Sequence, residues 1–461
     1  MKTPVDSVHA LADGLGAIRK QYRVPADFPP DVLTAANIAA AKQPTEHADR
    51  TTLPFVTLDP ASSTDLDQAF HIEAAGADLI LHYAIADVGW FVSDGDPLDR
   101  EAWQRGTTQY LPDGRAGLYP PVLSEAAASL LPDGPRPAVI FSVRVDPAGA
   151  VKLDGAERAL IRSVAKFAYD TVRDEELPAG FQELSRRIQA AEAARGASRV
   201  DPPEQEVTSD GNGGYRLAFR PMLPSETRNA ALSLATNLAI ADVLLAHRTG
   251  LFRTLPGPDE GDVARLRHTA RAFGLDWPAT LSLTEYERRL DPCDAAQAAF
   301  MLAIRRAGGG AAYVPWREGE TPWHAAMAAT YAHATAPLRR LADRYVIRAT
   351  LAIANGQPVP AEVEDAFQRL TKVMARADQL GGQIDRAVVD LAEAVMLQGR
   401  EGEHFQAVVT DIDQRGARIQ LDHAPVVARV EAQAVVPGDQ ITVELVSADP
   451  AQRSVSFRRI A

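Results

Sequence analysis

Three carboxylates lie close together in residues 58–70, L-D-P-A-S-S-T-D-L-D-Q-A-F. Asp59 precedes Pro60, which disfavours helical backbone at the residue before it and cannot donate to a sheet, so Asp59 is expected to end a strand. Asp65 and Asp67 are two apart, and an extended chain turns such a pair to one face. Carboxylates converging on one spot repel each other and raise one another's pKa unless a cation neutralises them. An all-oxygen donor set, without histidine or cysteine, suits a hard ion such as Mg²⁺ better than zinc. A solvated acidic turn is the plainer reading of D-x-D in a loop.

A second concentration of chemistry lies at residues 334–348, A-T-A-P-L-R-R-L-A-D-R-Y-V-I-R. Pro337 is expected near a helix start, with Arg340, Arg344 and Arg348 sharing one face and Arg339 offset toward the preceding turn. Phosphate is well received at a helix N-terminus, and arginine grips it bidentately. His324 and His333 could pass for metal ligands, but packed or hydrogen-bonded histidines are expected. Phe167 and Tyr169 are expected in the core. Asn237, in the middle of an apolar helical run, predicts a polar contact to the interior or to a ligand. The run Gly308–Gly310 resembles no phosphate loop and is expected to pack tightly or act as a hinge.

The elements that position these groups follow from patterning. A chain of 461 residues predicts two to four domains, and 46% hydrophobic with 24% charged residues is ordinary globular composition. The lone cysteine, Cys293, excludes a disulfide scaffold and a cysteine-rich zinc site. The first residues lack the pattern of a signal peptide, and no apolar stretch reads as a membrane span, so a soluble, cytoplasmic protein is expected. A net charge of −13 argues against a broad basic footprint, though a local basic channel can sit inside an acidic shell. Alternation over 55–86 reads as strands, and 139–153 as a hairpin turning at Pro147–Gly149. Helices are expected at 225–248, 261–273, 283–306, 323–352 and 360–398, with a surface loop at 200–214. After Glu401 five short strands, with turn signals at Arg415–Gly416 and Pro437–Gly438, suggest a small barrel. The expected class is α+β, divided into a helical module (1–49), a mixed domain (50–399) and an all-β domain (400–461).

The acidic stretch resembles the catalytic signature of the ribonuclease II/R family, exoribonucleases built on the RNB domain. The resemblance continues in order through L-H-Y-A-I-A-D-V-G-W-F-V, P-L-D-R-E-A-W-Q-R-G-T-T-Q-Y-L-P-D, L-S-E…S-L-L-P-D-G-P-R, S-V-A-K-F-A-Y-D and T-Y-A-H-A-T-A-P-L-R-R-L-A-D-R. The tail resembles the S1-type OB-fold that closes these enzymes. The resemblance implies Mg²⁺-dependent 3′-to-5′ hydrolysis of single-stranded RNA to nucleoside 5′-monophosphates by a monomer with no membrane association, with Mn²⁺ able to substitute.

Asp59, Asp65 and Asp67 fall on three of the family's four clustered aspartates as metal-binding and catalytic residues. Gln68 stands at the fourth, a departure. By the same resemblance Arg339 grips the scissile phosphate and Tyr110 stacks on terminal bases, which suits a site that accepts any sequence. Arg340, Arg344 and Asn237 are candidate RNA contacts. Family members typically carry two cold-shock domains before the RNB domain, which 50 residues cannot hold, so a helical, helix-turn-helix-like module is expected there. The tail is acidic, with six arginines against nine acids from residue 401 on. A non-catalytic RNA-binding relative is the rival reading, and a Mg²⁺-dependent phosphatase or phosphotransferase the second.

Overall fold

The computed structural model describes residues 4–197, 204–209, 215–220, 222–291, 294–413, 416–422, 424–431 and 434–460. Cys293, Arg415 and the turn-rich stretches at 201–203 and 210–214 lie outside these.

Two helices come first, α1 (Pro4–Gln21) and α2 (Pro30–Ala40), the second opened by a proline at its first turn. They are followed by β1 (Ala48–Asp49), β2 (Phe55–Asp59), β3 (Gln68–Ala75), β4 (Asp78–Ala86), α3 (Val88–Phe91) and α4 (Pro97–Arg105). A small hairpin, β5 (Gln109–Leu111) and β6 (Gly114–Ala116), precedes β7 (Arg136–Val145), β8 (Val151–Ile161) and β9 (Ser163–Ala168). Among the described residues seven strands form one sheet, ordered β1-β8-β7-β4-β3-β2-β9. Its centre is antiparallel, and β9 joins β2 in parallel. The expected hairpin is β7–β8: Gly149 takes φ 82°, and a Cβ there would lie 2.2 Å from the carbonyl oxygen of Arg187, so only glycine fits the turn.

Helices then dominate: α5 (Phe181–Arg195), a hairpin of β10 (Glu204–Ser209) and β11 (Tyr215–Arg220), and α6 (Pro224–Ala246). By length and composition α6 could cross a membrane, but two thirds of its most apolar window is buried inside the protein. It packs on β7 and β8. Next come β12 (Leu251–Thr254), α7 (Glu260–Ala272), α8 (Leu283–Glu287), α9 (Ala295–Ala307), β13 (Ala312–Pro315), β14 (Trp323–His324), β15 (Ala329–Thr330), α10 (Leu341–Ala354) and α11 (Ala361–Leu397). Gly309 packs tightly: a Cβ there would come within 2.4 Å of the Pro256 ring.

Three expectations are corrected. The loop expected at 200–214 is flanked and partly formed by the β10–β11 pair. The helix expected at 283–306 is two helices. The helix expected at 323–352 does not begin until Leu341, and Pro337 lies before it in an irregular segment. Alanine-rich propensity is overridden there because side chains from three other elements bind the backbone of 334–338.

The tail closes into a barrel of β16 (His404–Asp413), β17 (Gly416–Leu421), β18 (Val427–Glu431), β19 (Gln440–Asp449) and β20 (Ser454–Arg459), ordered β16-β17-β18-β20-β19. Ile419, Val443, Leu445 and Phe457 fill it, and Leu397 from the end of α11 joins that core. The amino-terminal helix is not detached either. Leu11, Leu15 and Ile18 of α1 share a core with Leu111 and Ala116 of the small hairpin and Ile384 and Leu391 of α11.

Candidate active site

Asp59 ends β2, as the following proline requires. The loop beyond it is held from both sides. Lys166 on β9 donates to the carbonyls of Ala61 at 2.9 Å and Ser63 at 2.6 Å. Ser129 donates to the Thr64 carbonyl at 2.8 Å and accepts from Leu66 N at 2.9 Å. The chain re-enters the sheet at Gln68, so Asp65 and Asp67 are fixed by strands on either side.

Asp67 is buried. One carboxylate oxygen accepts the Leu338 amide at 2.7 Å, and the other faces Arg339 Nε at 3.6 Å. Burial pushes its carboxyl up to about 8, against the pull of Arg339. Asp59 is pushed up to about 6, again chiefly by burial, with Arg339 opposing. Its carboxylate takes no hydrogen bond or ion pair from any described residue. Two carboxylates held where ionisation is costly, with oxygen donors only, fit a hard divalent cation that would repay that cost. No cluster of three or more acidic, histidine or cysteine ligands is present among the described residues.

Arg339 has a half-exposed side chain and sits on the irregular segment before α10. Besides Asp67, three polar side chains hold that segment. Asn237 of α6 accepts from Ala334 N at 3.0 Å while donating to Tyr331 Oη at 3.1 Å. Asp343 accepts from Ala336 N at 2.8 Å. Gln68 donates to the Thr335 carbonyl at 2.7 Å, and its amide oxygen accepts from the buried Tyr83 hydroxyl.

Several candidates therefore change role. Asn237 is 1% exposed and fully committed to the segment, which leaves no edge for RNA. Gln68 is tied at both ends of its amide and braces the segment against β4, instead of presenting an open oxygen to a cation. Arg340 turns inward to Asp343, at 2.9 and 2.7 Å. Arg344 is 1% exposed and pairs with buried Asp99 beneath Tyr119 and Tyr345. Arg340 stands just before α10, outside the helix, and Arg344 is buried within it, so the two share no helical face and each is paired inside the protein. His333 is hydrogen-bonded to Tyr313 at 2.8 Å, and burial holds its pKa well below the usual imidazole range. His324 caps a short helical turn. Tyr169 accepts from Asn229 at 3.0 Å at the edge of the core.

Tyr110 is 48% exposed, and its hydroxyl donates to Asp65 at 3.2 Å. It lines a cavity of about 710 Å³ between α11, α9, β10 and the barrel, with Leu302, Arg386, Val389 and Val427 among its other walls. Thus a residue of the acidic loop and a residue of the cavity wall are in contact. Sequence reasoning missed Arg115, which pairs with Asp65 from β6. The P-D-G turn signal was the available clue, because a two-residue turn there sets Tyr110 and Arg115 opposite one another. Lys166 and Tyr83 were missed as well, and no local signal marks them.

The RNB domain family matches residues 47–356, and the family described as the RNase II-type exonuclease C-terminal S1 domain matches residues 403–460. Ribonuclease R of Aquifex aeolicus (strain VF5) is 25% identical over 478 residues, covering 96% of this chain and 66% of that protein. Exoribonuclease 2 of Cronobacter sakazakii (strain ATCC BAA-894) is 26% identical over 407 residues, covering 83% of this chain and 62% of that protein. The chain thus spans just under two thirds of the length of these curated relatives. Among solved structures, the apo form of Mycoplasma genitalium RNase R aligns with a TM-score of 0.87 at 21% identity, over 98% of this chain and 78% of that one. Yeast Ssd1, described as a pseudonuclease, aligns at 0.62 with 16% identity, over 86% of this chain and 52% of that one. The end of β2 and the loop to β3, which carry the aspartates, and the segment that carries Arg339 all fall inside the matched span, and this chain belongs to the RNB domain family.

Proposed function

We propose that this protein is a 3′-to-5′ exoribonuclease that hydrolyses single-stranded RNA to nucleoside 5′-monophosphates with Mg²⁺, Mn²⁺ serving in its place. The contact between Tyr110, on the cavity wall, and Asp65, on the acidic loop, carries the reading: a strand threaded through the cavity would end at the carboxylates. The relatives named ribonuclease R and exoribonuclease 2 support it, as does a structure titled as Mycoplasma genitalium RNase R in complex with ribose methylated single-stranded RNA.

Asp59 and Asp67 would hold the cation, which when bound supplies Lewis acidity at the scissile phosphate. Arg339, anchored through the clamped segment and half exposed, would meet the charge that develops on the phosphoryl oxygens. Tyr110 would stack on a base near the 3′ end, a contact worth about 1–3 kcal/mol that any base can make. Single-stranded RNA labelled at its 5′ end tests the reading. With Mg²⁺ it should shorten stepwise from the 3′ end and release 5′-monophosphates, and chelator should stop it. Intact RNA in the presence of Mg²⁺ would refute the assignment.

One observation favours a second reading, an RNA-binding relative with little catalysis. Asp65 is neutralised by Arg115, and Gln68 supplies neither a charge nor an open oxygen. Tight RNA binding without product would establish it. A small-molecule phosphatase fits less well, since a cavity of about 710 Å³ between a helical wall and a barrel suits a polymer.

A further inference from the structure

Arg115 reaches the acidic loop from β6, directly opposite Tyr110 on β5. Its Nη1 pairs with Asp65, while Nη2 meets Glu125 at 2.8 Å and Thr64 Oγ1 at 2.7 Å. Thr64 closes the ring by donating to Glu125 at 3.0 Å. Tyr110 occupies the second oxygen of Asp65. Both oxygens of Asp65 are therefore taken by side-chain donors, whereas the Asp59 carboxylate takes no hydrogen bond or ion pair from any described residue and Asp67 keeps one oxygen that meets only Arg339, at 3.6 Å. The hairpin that delivers Arg115 is itself pinned: Arg19 of α1 donates to Asp113 at 2.8 and 2.9 Å and to the Gly114 carbonyl at 3.1 Å. A guanidinium held by three acceptors on a braced hairpin is fixed in place.

We infer that Arg115 is a positioning residue that keeps Asp65 out of the cation's ligand set, leaving Asp59 and Asp67 to carry the ion. This rests on the nuclease reading above and adds to it which carboxylates bind the ion. Charge balance agrees. Arg115 and Arg339 offset two of the three aspartates, Lys166 and Glu125 offset one another, and Gln68 adds nothing. One negative charge remains, and together with that of a scissile phosphodiester it is balanced by a single divalent ion. Arg115 thus stands where a further cation would otherwise be needed.

Mn²⁺ binding to the full chain without RNA tests the inference, measured by calorimetry on wild type, Asp59→Asn, Asp65→Asn and Arg115→Gln. One ion per wild-type chain is expected. Asp65→Asn should bind within about two-fold of wild type, Asp59→Asn should weaken binding about ten-fold or more, and Arg115→Gln should tighten it several-fold by freeing Asp65. Loss of affinity in Asp65→Asn equal to that in Asp59→Asn, or no tightening in Arg115→Gln, would overturn the inference. A second measurement needs no metal. In chelator, the melting temperature of the Arg115→Gln, Asp65→Asn double variant should fall no further than that of the worse single variant, because the two changes remove one interaction. Additive losses would overturn the pairing itself. A persistent coupling with no Mn²⁺ binding by wild type would instead bring down the nuclease reading, and with it the ligand set assigned to Asp59 and Asp67.

Discussion

Asp67 joins the sheet to the arginine segment through a single side chain, since it accepts from Leu338 and faces Arg339. Asp67→Asn keeps an acceptor for Leu338 but loses the charge a cation needs. Single-turnover cleavage should fall by about 10²-fold or more, while RNA affinity, set by phosphate and stacking contacts elsewhere, stays within several-fold. Undiminished cleavage would remove Asp67 from the chemistry. Arg339→Ala should lose about 10²–10³ in rate with little change in dissociation constant, and a defect in affinity alone would demote it to a backbone contact. Gln68 calls for a different outcome. Family pattern alone would have Gln68→Asp lower the Mg²⁺ requirement, whereas its two amide contacts make it a brace. Gln68→Ala should destabilise the fold by about 1–3 kcal/mol, because the Tyr83 hydroxyl and the Thr335 carbonyl lose their partner. Mn²⁺ affinity should be unchanged, and a weakened isotherm with an unaltered melting temperature would return Gln68 to the metal shell.

At the level of elements, α10 shows how one start position reassigns a row of residues. A helix beginning at Pro337 would put Arg340, Arg344 and Arg348 on one face. Beginning at Leu341, with its first amide taken by the Gly106 carbonyl at 3.0 Å, the helix leaves Arg340 outside, buries Arg344 and keeps Arg348 partly exposed. Arg344 meets Asp99, Tyr119 and Tyr345, and Arg348 turns to Asp94 at 2.7 Å. Breaking the buried pair from one side leaves an unpaired charge, so Arg344→Ala should cost about 3–5 kcal/mol in denaturant unfolding. A loss below about 1 kcal/mol would mean that water reaches Asp99.

At the scale of the whole molecule, one buried acid bridges three walls of the cavity. Glu393 of α11 is 3% exposed and accepts from Val427 N in the barrel at 2.8 Å and from Gln205 of β10 at 2.7 Å. Burial pushes its carboxyl up to about 7, with the two hydrogen bonds opposing. The sign follows from linkage. Below the unfolded value, near 4.3, the group is protonated in both states; as pH rises toward 7 the unfolded chain ionises first, so the contribution to stability is lost. Glu393→Gln keeps an oxygen for both donors and cannot ionise. It should match wild type at pH 4 and exceed it at pH 8 by on the order of 2–3 kcal/mol. A constant difference across that range would show that Glu393 does not titrate there.

Local chemistry determined a good part of this protein. Pro60 ended β2 at Asp59, alternation marked β3 and β4, Pro147–Gly149 turned β7 into β8, and short strands after Glu401 marked the barrel, because each depends on backbone sterics or on a period of two within a few residues. The aspartates and the arginine run stood out as dense stretches of one charge type. By themselves the aspartates read as well as a solvated acidic turn, and only the resemblance to a family pointed to a site. What only the tertiary structure decided is which polar groups are already satisfied. Asn237, Gln68, Arg340 and Arg344 look like ligand-binding groups in sequence, yet their partners lie up to 267 residues away, as Gln68 and Thr335 do. Arg115 is the converse, an unremarkable arginine until a hairpin sets it beside Asp65. Hydrogen bonds and ion pairs are satisfied through space, and burial alone decides whether a charged group faces a substrate or another part of its own chain.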